Sequence, residues 1–262
     1  MSADLVIDEL GTGYGGRKII DGLSLPPMQA GQVISLIGPN AARKTTLLRA
    51  LAGLQGASGS VRLGDRELLH MPLADHARLV TYMPQSLPQK VALTVLEAVI
   101  GALRASPTGE GREAQRAIAA QAMEVISRVG IGHLAMSRLD ALSGGQRQLA
   151  SLAQALVRRP QVLLLDEPIS ALDLHFQLKV MKLVRELAAE RGMIALMVLH
   201  DLAIAARWSD RVVVLAHGKV AADGTPAEAI TEQVLADVYR VTAQVSPQGA
   251  GLHIDIFDTL PL

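Results

Sequence analysis

Four runs of strand length, at 32–38, 162–166, 194–199 and 211–215, are almost wholly apolar, and the last three each follow a stretch with helical spacing. Strands that read as unbroken Val, Ile and Leu are buried on both faces, and parallel pairing through helical crossovers is the arrangement that achieves this. The chain is thereby restricted to an α/β fold with a mostly parallel sheet and helices on both of its faces. The first run leads into a helix expected over 45–54. A second helix is expected over Leu174–Arg191, where Leu174, Leu178, Met181, Val184, Leu187 and Ala188 recur at three- and four-residue steps, so that one apolar stripe faces the sheet.

Between about 86 and 158 the strand pattern stops, and the segments 93–103 and 113–129 read as helices. This is a helical insertion in the α/β core, bounded by Pro84, Pro88 and Pro160 and interrupted by a Ser-Pro-Thr-Gly-Glu-Gly loop at 106–111. The chain thus divides into a core at 1–84 and 159–240, a helical subdomain at 85–158, and a tail at 241–262 that is expected to form a hairpin around its Pro247-Gln248-Gly249-Ala250-Gly251 turn. With one Trp, three Tyr and two Phe in 262 residues, the core must be built from Leu, Val, Ile, Ala and Met. The absence of cysteine excludes a disulfide framework, a thiolate nucleophile and a thiolate metal site. A net charge of zero provides no general attraction to nucleic acid, and no nucleic-acid partner is expected. No uncharged apolar run reaches 18 residues, so no membrane span is expected, and the acidic start MSADLVIDEL lacks the basic region of a signal peptide.

Three motifs carry chemistry. After the first buried strand comes Gly38-Pro39-Asn40-Ala41-Ala42-Arg43-Lys44-Thr45-Thr46, with Gly38, Lys44 and Thr45 at the spacing of a phosphate-binding loop. In such a loop backbone N–H groups and a helix N-terminus cradle phosphates, the lysine reaches the β and γ phosphates, and the hydroxyl binds magnesium. Alone, a Gly…Lys-Thr fragment is also an ordinary strand-to-helix turn. The second motif, Val162-Leu163-Leu164-Leu165-Asp166-Glu167, buries a strand and releases two carboxylates at its C-terminal end, the edge where open α/β sheets bind ligands. Asp166 suits a metal and Glu167 a general base toward water. The third, Leu142-Ser143-Gly144-Gly145-Gln146, matches a helix capping box, and its two glycines leave backbone N–H groups bare at the positive end of a helix dipole.

These motifs, in this order and with the helical insertion between the first two, resemble the nucleotide-binding subunit of ABC transporters over nearly the whole chain. The resemblance implies a P-loop NTPase (RecA-like) core. It also assigns four further positions: Gln85 as the residue that senses γ phosphate and metal, Asp173 in Ser170-Ala171-Leu172-Asp173 as the loop crossing the dimer interface, His200 as the switch histidine, and Tyr14 as the aromatic stacked on adenine. Each has a structural alternative: a solvated glutamine, a helix N-cap, a strand-end histidine and a core tyrosine. By the same resemblance ATP and Mg2+ are bound, the metal by Thr45, Gln85 and Asp166, and two copies close head to tail so that the loop of one faces Ser143, Gly144, Gly145 and Gln146 of the other. A transmembrane permease, and indirectly a substrate-binding protein, are the implied partners, at the cytoplasmic face of the membrane. The texture of Gly-Tyr-Gly-Gly-Arg-Lys, Tyr82-Met83-Pro84-Gln85 and Val238-Tyr239-Arg240-Val241 resembles importers of iron siderophores, haem or cobalamin.

One departure matters. The family loop reads G-x-x-G-x-G-K, and here Ala41 and Arg43 replace its two later glycines. A β-carbon in a left-handed conformation costs about 1–2 kcal/mol, so two such positions store roughly 2–4 kcal/mol. Set against ATP binding, that strain weakens affinity by about 30- to 1,000-fold. Arg43 either pairs with a phosphate or obstructs it. The expectation is an ATP-hydrolysing importer motor, with a nucleotide-binding or scaffold subunit of impaired hydrolysis as the alternative.

Overall fold

The computed structural model describes residues 3–15, 17–85, 92–104 and 112–261; Pro88 and the loop expected at 106–111 lie outside them. The chain opens with strands β1 (Leu5–Tyr14), β2 (Arg17–Met28) and β3 (Val33–Ile37), followed by helix α1 (Lys44–Leu51). Strands β4 (Ala57–Leu63) and β5 (Arg66–Glu67), helix α2 (Leu73–Leu79) and strand β6 (Val80–Met83) come next. Helices α3 (Val95–Arg104), α4 (Arg112–Val129) and α5 (Gly144–Val157) precede β7 (Val162–Asp166), α6 (Leu174–Arg191), β8 (Ile194–Val198), α7 (Leu202–Trp208), β9 (Arg211–Ala216) and β10 (Lys219–Gly224). Two short helices, α8 (Pro226–Ala229) and α9 (Glu232–Val234), lead to β11 (Val241–Gln248) and β12 (Gly251–Thr259), which pair antiparallel.

The principal sheet has six strands in the order β10-β9-β3-β8-β7-β6, all parallel except the edge strand β10. Its central strands β3, β7 and β8 are buried at every residue, which is why they read as continuous apolar runs. The period of two along each strand splits them between two cores. Leu163 and Leu165 of β7 join the helices α3–α7, whereas Val162 and Leu164 face α1 and a second sheet. That second sheet, β2-β1-β4-β5, is antiparallel throughout. It shares that face with α1, so the expected helices on both faces are joined there by a sheet the sequence did not announce: β1, β2 and β4 alternate buried and exposed residues, with a weaker apolar signal than the fully buried strands. Arg211 ties the two sheets together. Its guanidinium makes a two-fold pair with Asp223 at 2.6 Å each and donates to the carbonyls of Pro26 and Pro27 on β2.

Helix α6 departs from its expected register at one end. Val180, Met181, Leu183, Val184, Leu187 and Ala188 are buried, but Leu174 and Leu178 are 74% and 50% exposed. In these first turns the contact with the core is made by Phe176, Val180 and Met181 instead.

Candidate functional site

The site is built at the C-terminal ends of β3, β7 and β8. Strand β3 runs into Gly38, whose φ of 145° and lack of a side chain are both required, because a β-carbon there would collide with the carbonyl of Leu215. The chain then turns, with Ala42 N donating to the Pro39 carbonyl at 3.1 Å, past the exposed Asn40 and into α1. Ala41 (φ 67°) and Arg43 (φ 78°) occupy the left-handed region that glycine would enter freely, and Arg43 caps α1 without a side-chain hydrogen bond. Lys44 is buried, with Nζ donating to the carbonyls of Gly38 (2.6 Å) and Pro39 (3.0 Å), which leaves one of its three protons for a ligand. Burial lowers its pKa, while the carboxylates of Glu167 and Asp166 act the other way. Thr46 is buried and Thr45 exposed at the head of the helix.

The two carboxylates at the end of β7 are held differently. Asp166 is 1% exposed; its Oδ1 accepts from Thr45 Oγ1 at 3.2 Å and its Oδ2 from Tyr82 Oη at 3.0 Å. Burial pushes the Asp166 carboxyl above its ordinary value, against the two hydroxyl hydrogen bonds. Burial, and after it the negative Asp166, push the Tyr82 phenol far up, so it stays protonated and donates. Glu167 has a φ of 53°, a strained value that re-aims its side chain out of the strand direction. Its Oε2 accepts from Gln85 Nε2 at 2.7 Å, and its Oε1 lies 2.5 Å from His200 Nε2. Gln85 and His200 therefore converge on the Glu167 carboxylate from two separate loops.

The third motif lies elsewhere in the chain. Ser143 caps α5, accepting from Gln146 N at 3.2 Å, while Gln146 Oε1 accepts from Ser143 N at 2.9 Å, a complete capping box. Its two glycines serve different ends. A β-carbon at Gly145 would sit 2.8 Å from the Ala171 carbonyl, so that position is dictated by packing, whereas Gly144 faces open space. These residues share a cavity of about 540 Å3 with Asp173 and His133. Asp173 is the N-cap of α6, accepting from Phe176 N at 3.0 Å, so the structural alternative for that residue holds whatever else it does. Among the described residues no hydrogen bond joins this cavity to Lys44 or Thr45. Tyr14, 50% exposed at the end of β1, is not a core residue. Replacing Ser143 with alanine is expected to cost about 1 kcal/mol of stability, measured by urea unfolding. A loss much smaller than that would mean the cap does not hold the helix.

Two contributing residues were missed in the sequence. Gln148 on α5 is buried, donates to the Glu167 carbonyl at 2.6 Å and accepts from Ala171 N at 3.1 Å, fixing the turn that carries Glu167. An amide one residue before the apolar Leu149-Ala150 pair was its only signal. Tyr82 was read for texture alone, although its place two residues along β6 from Val80 puts it on the same face as Leu164 and Asp166.

The donor set fits a hard cation. A hydroxyl and a carboxylate oxygen 3.2 Å apart, Thr45 and Asp166, supply the one or two protein ligands that magnesium takes beside nucleotide phosphates. Among the described residues no group of three His, Cys, Asp or Glu forms an all-protein metal cage. Gln85, expected as a third ligand, is placed against Glu167.

Residues 22–170 match the family model described as ABC transporter. The chain is 40% identical to the hemin import ATP-binding protein HmuV of Rhodococcus jostii (strain RHA1), covering 88% of this chain and 78% of the relative. It is 35% identical to the iron(3+)-hydroxamate import ATP-binding protein FhuC of Bacillus subtilis (strain 168), covering 92% and 89% respectively. A dimeric ATP-binding cassette solved in a post-hydrolysis state with ADP and Pi superposes with a TM-score of 0.77 at 23% identity, over 85% of this chain and 98% of that one, a likeness of fold.

Proposed function

The chain belongs to the ABC transporter family, as an ATP-binding subunit, and on that premise we propose that it hydrolyses ATP to drive import of haem or an iron chelate through a separate membrane permease. The observation that carries the reading is the convergence of Gln85 and His200 on Glu167, beside Lys44, Thr45 and Asp166. Those residues suit in-line attack of water on the γ phosphorus with ADP as leaving group. The loop amides and Lys44 hold the β and γ phosphates, Glu167 orients the water and takes its proton, and His200 and Gln85 position Glu167. Magnesium, held by Thr45 and Asp166, would supply neutralisation of the phosphate charge. The cargo reading rests on the names of relatives that import hemin and iron(3+)-hydroxamate.

Because the capping-box cavity is not joined to the phosphate loop within one chain, the complete site needs a second copy placed head to tail. Ser143, Gly144, Gly145, Gln146 and Asp173 then face the nucleotide bound by the other copy, and Tyr14 stacks on its adenine. The helical segment 85–158, which follows Gln85, is the element that relays closure to the permease, with the subunit lying at the cytoplasmic face; no helix among the described residues is long and apolar enough to cross a membrane. Specific ATPase activity is expected to rise with protein concentration, since the working unit is a dimer. Activity per chain that is constant over a hundredfold dilution overturns the shared site, and absence of any Mg-ATP hydrolysis, alone and with membranes holding the permease, overturns the motor.

A further inference from the structure

We propose that Tyr82 is a positioning residue for the metal–nucleotide site: with Thr45 it fixes the Asp166 carboxylate in the orientation that meets the cation. This deepens the nucleotide reading above and rests on it. The geometry comes from the edge of the sheet. Strand β6 pairs in parallel with β7, placing Tyr82 opposite Leu164, two residues before Asp166. The period of two sends the side chains of Tyr82, Leu164 and Asp166 to the α1 side of the sheet. From there the phenol spans to Asp166 and donates to Oδ2 at 3.0 Å, while Thr45 Oγ1 reaches Oδ1 at 3.2 Å from the opposite side.

These two hydroxyls are not equivalent. Thr45 stands at the head of α1, where its oxygen is shared with whatever the loop binds, so its bond to Asp166 is exchanged when a cation arrives. Tyr82 has no such second task, and its hydrogen bond is the one that persists. Asp166 is 1% exposed, so water cannot replace a lost donor on Oδ2. Without Tyr82 the carboxylate is free to rotate about its last torsion or to turn Oδ2 toward Lys44. The same strand leads through Met83 and Pro84 to Gln85, which donates to Glu167. The end of β6 thus holds both carboxylates of the site, one through Tyr82 and one through Gln85.

The test is Tyr82→Phe, which keeps the ring and removes the hydroxyl. Mn2+ is titrated in the presence of saturating ADP and followed by the loss of the free-ion EPR signal. ADP binding in EDTA is measured by calorimetry, and melting temperature without ligand is recorded. All are made in the chain as it stands and again with Ala41→Gly and Arg43→Gly. The expected result is a Mn2+ affinity lowered about 10- to 100-fold, with metal-free ADP binding unchanged and a melting temperature lower by only a few degrees, the cost of one buried carboxylate oxygen left without its donor. Unchanged Mn2+ affinity, or an equal loss of metal-free ADP binding, overturns the positioning role while leaving the nucleotide reading in place. If neither parent background binds Mn2+ with ADP, the nucleotide reading fails and this inference fails with it.

Discussion

Glu167→Gln is expected to lower ATP turnover about 10²- to 10⁴-fold while leaving nucleotide affinity nearly unchanged, the range that loss of a positioned general base produces. The substitution is isosteric. Its amide oxygen still accepts from Gln85, its amide nitrogen faces His200, and the backbone strain at φ 53° is untouched. What disappears is the carboxylate that takes the proton of the attacking water in the proposed reaction. Affinity is preserved because Glu167 opposes the phosphates rather than holding them: its negative charge faces Lys44, and removing it leaves that lysine to the ligand. Steady-state phosphate release and equilibrium binding of Mg-ATP, measured on the same preparation, separate the two quantities. Turnover within a few-fold of the parent chain removes Glu167 from the role of base.

Restoring both glycines, Ala41→Gly with Arg43→Gly, is expected to raise stability by about 1–3 kcal/mol, which for a chain of this size is a melting temperature higher by roughly 3–10 °C. The estimate is the left-handed cost at two positions less the greater freedom glycine gains in the unfolded chain. The expectation drawn from the sequence sets the same strain against ATP binding, and the two assignments predict different outcomes. Both residues lie at φ 67° and 78°, in the left-handed region, so the strain is a cost of folding the loop itself. Nucleotide affinity should therefore change less than about tenfold, the remainder reflecting the Arg43 side chain alone. Calorimetric melting and a Mg-ATP titration decide the matter together. An unchanged melting temperature with binding tightened about 30-fold or more would show that the parent loop relaxes when empty and that its replaced glycines disable it.

Much of the architecture was legible because its signals are local. The strands β3, β7, β8 and β9 are each short, apolar and bounded, and Leu174–Arg191 was placed to the residue because Asp173 caps it and Gly192, at φ 64°, ends it. The antiparallel sheet was not legible. Its strands are half exposed and carry register shifts between β1 and β2, which break the alternation that would mark them. The exposure of Leu174 and Leu178 is not legible in the sequence because a helical stripe says which residues share a face, not which of them the tertiary structure covers.

By itself the sequence determined the fold class and the identity of the chemical groups, since apolar runs of fixed length can be buried in few ways and a phosphate loop, a carboxylate pair and a capping box are contiguous motifs. The tertiary structure alone decided which of those groups meet. Glu167 draws Gln85 from 82 residues upstream and His200 from 33 downstream, and Tyr82 reaches Asp166 across a strand pair, because parallel strand order brings distant loops to one edge of the sheet. No short-range pattern records that order, and the same order leaves Ser143 and Gly144 beside Asp173, apart from the loop they would serve in a second copy.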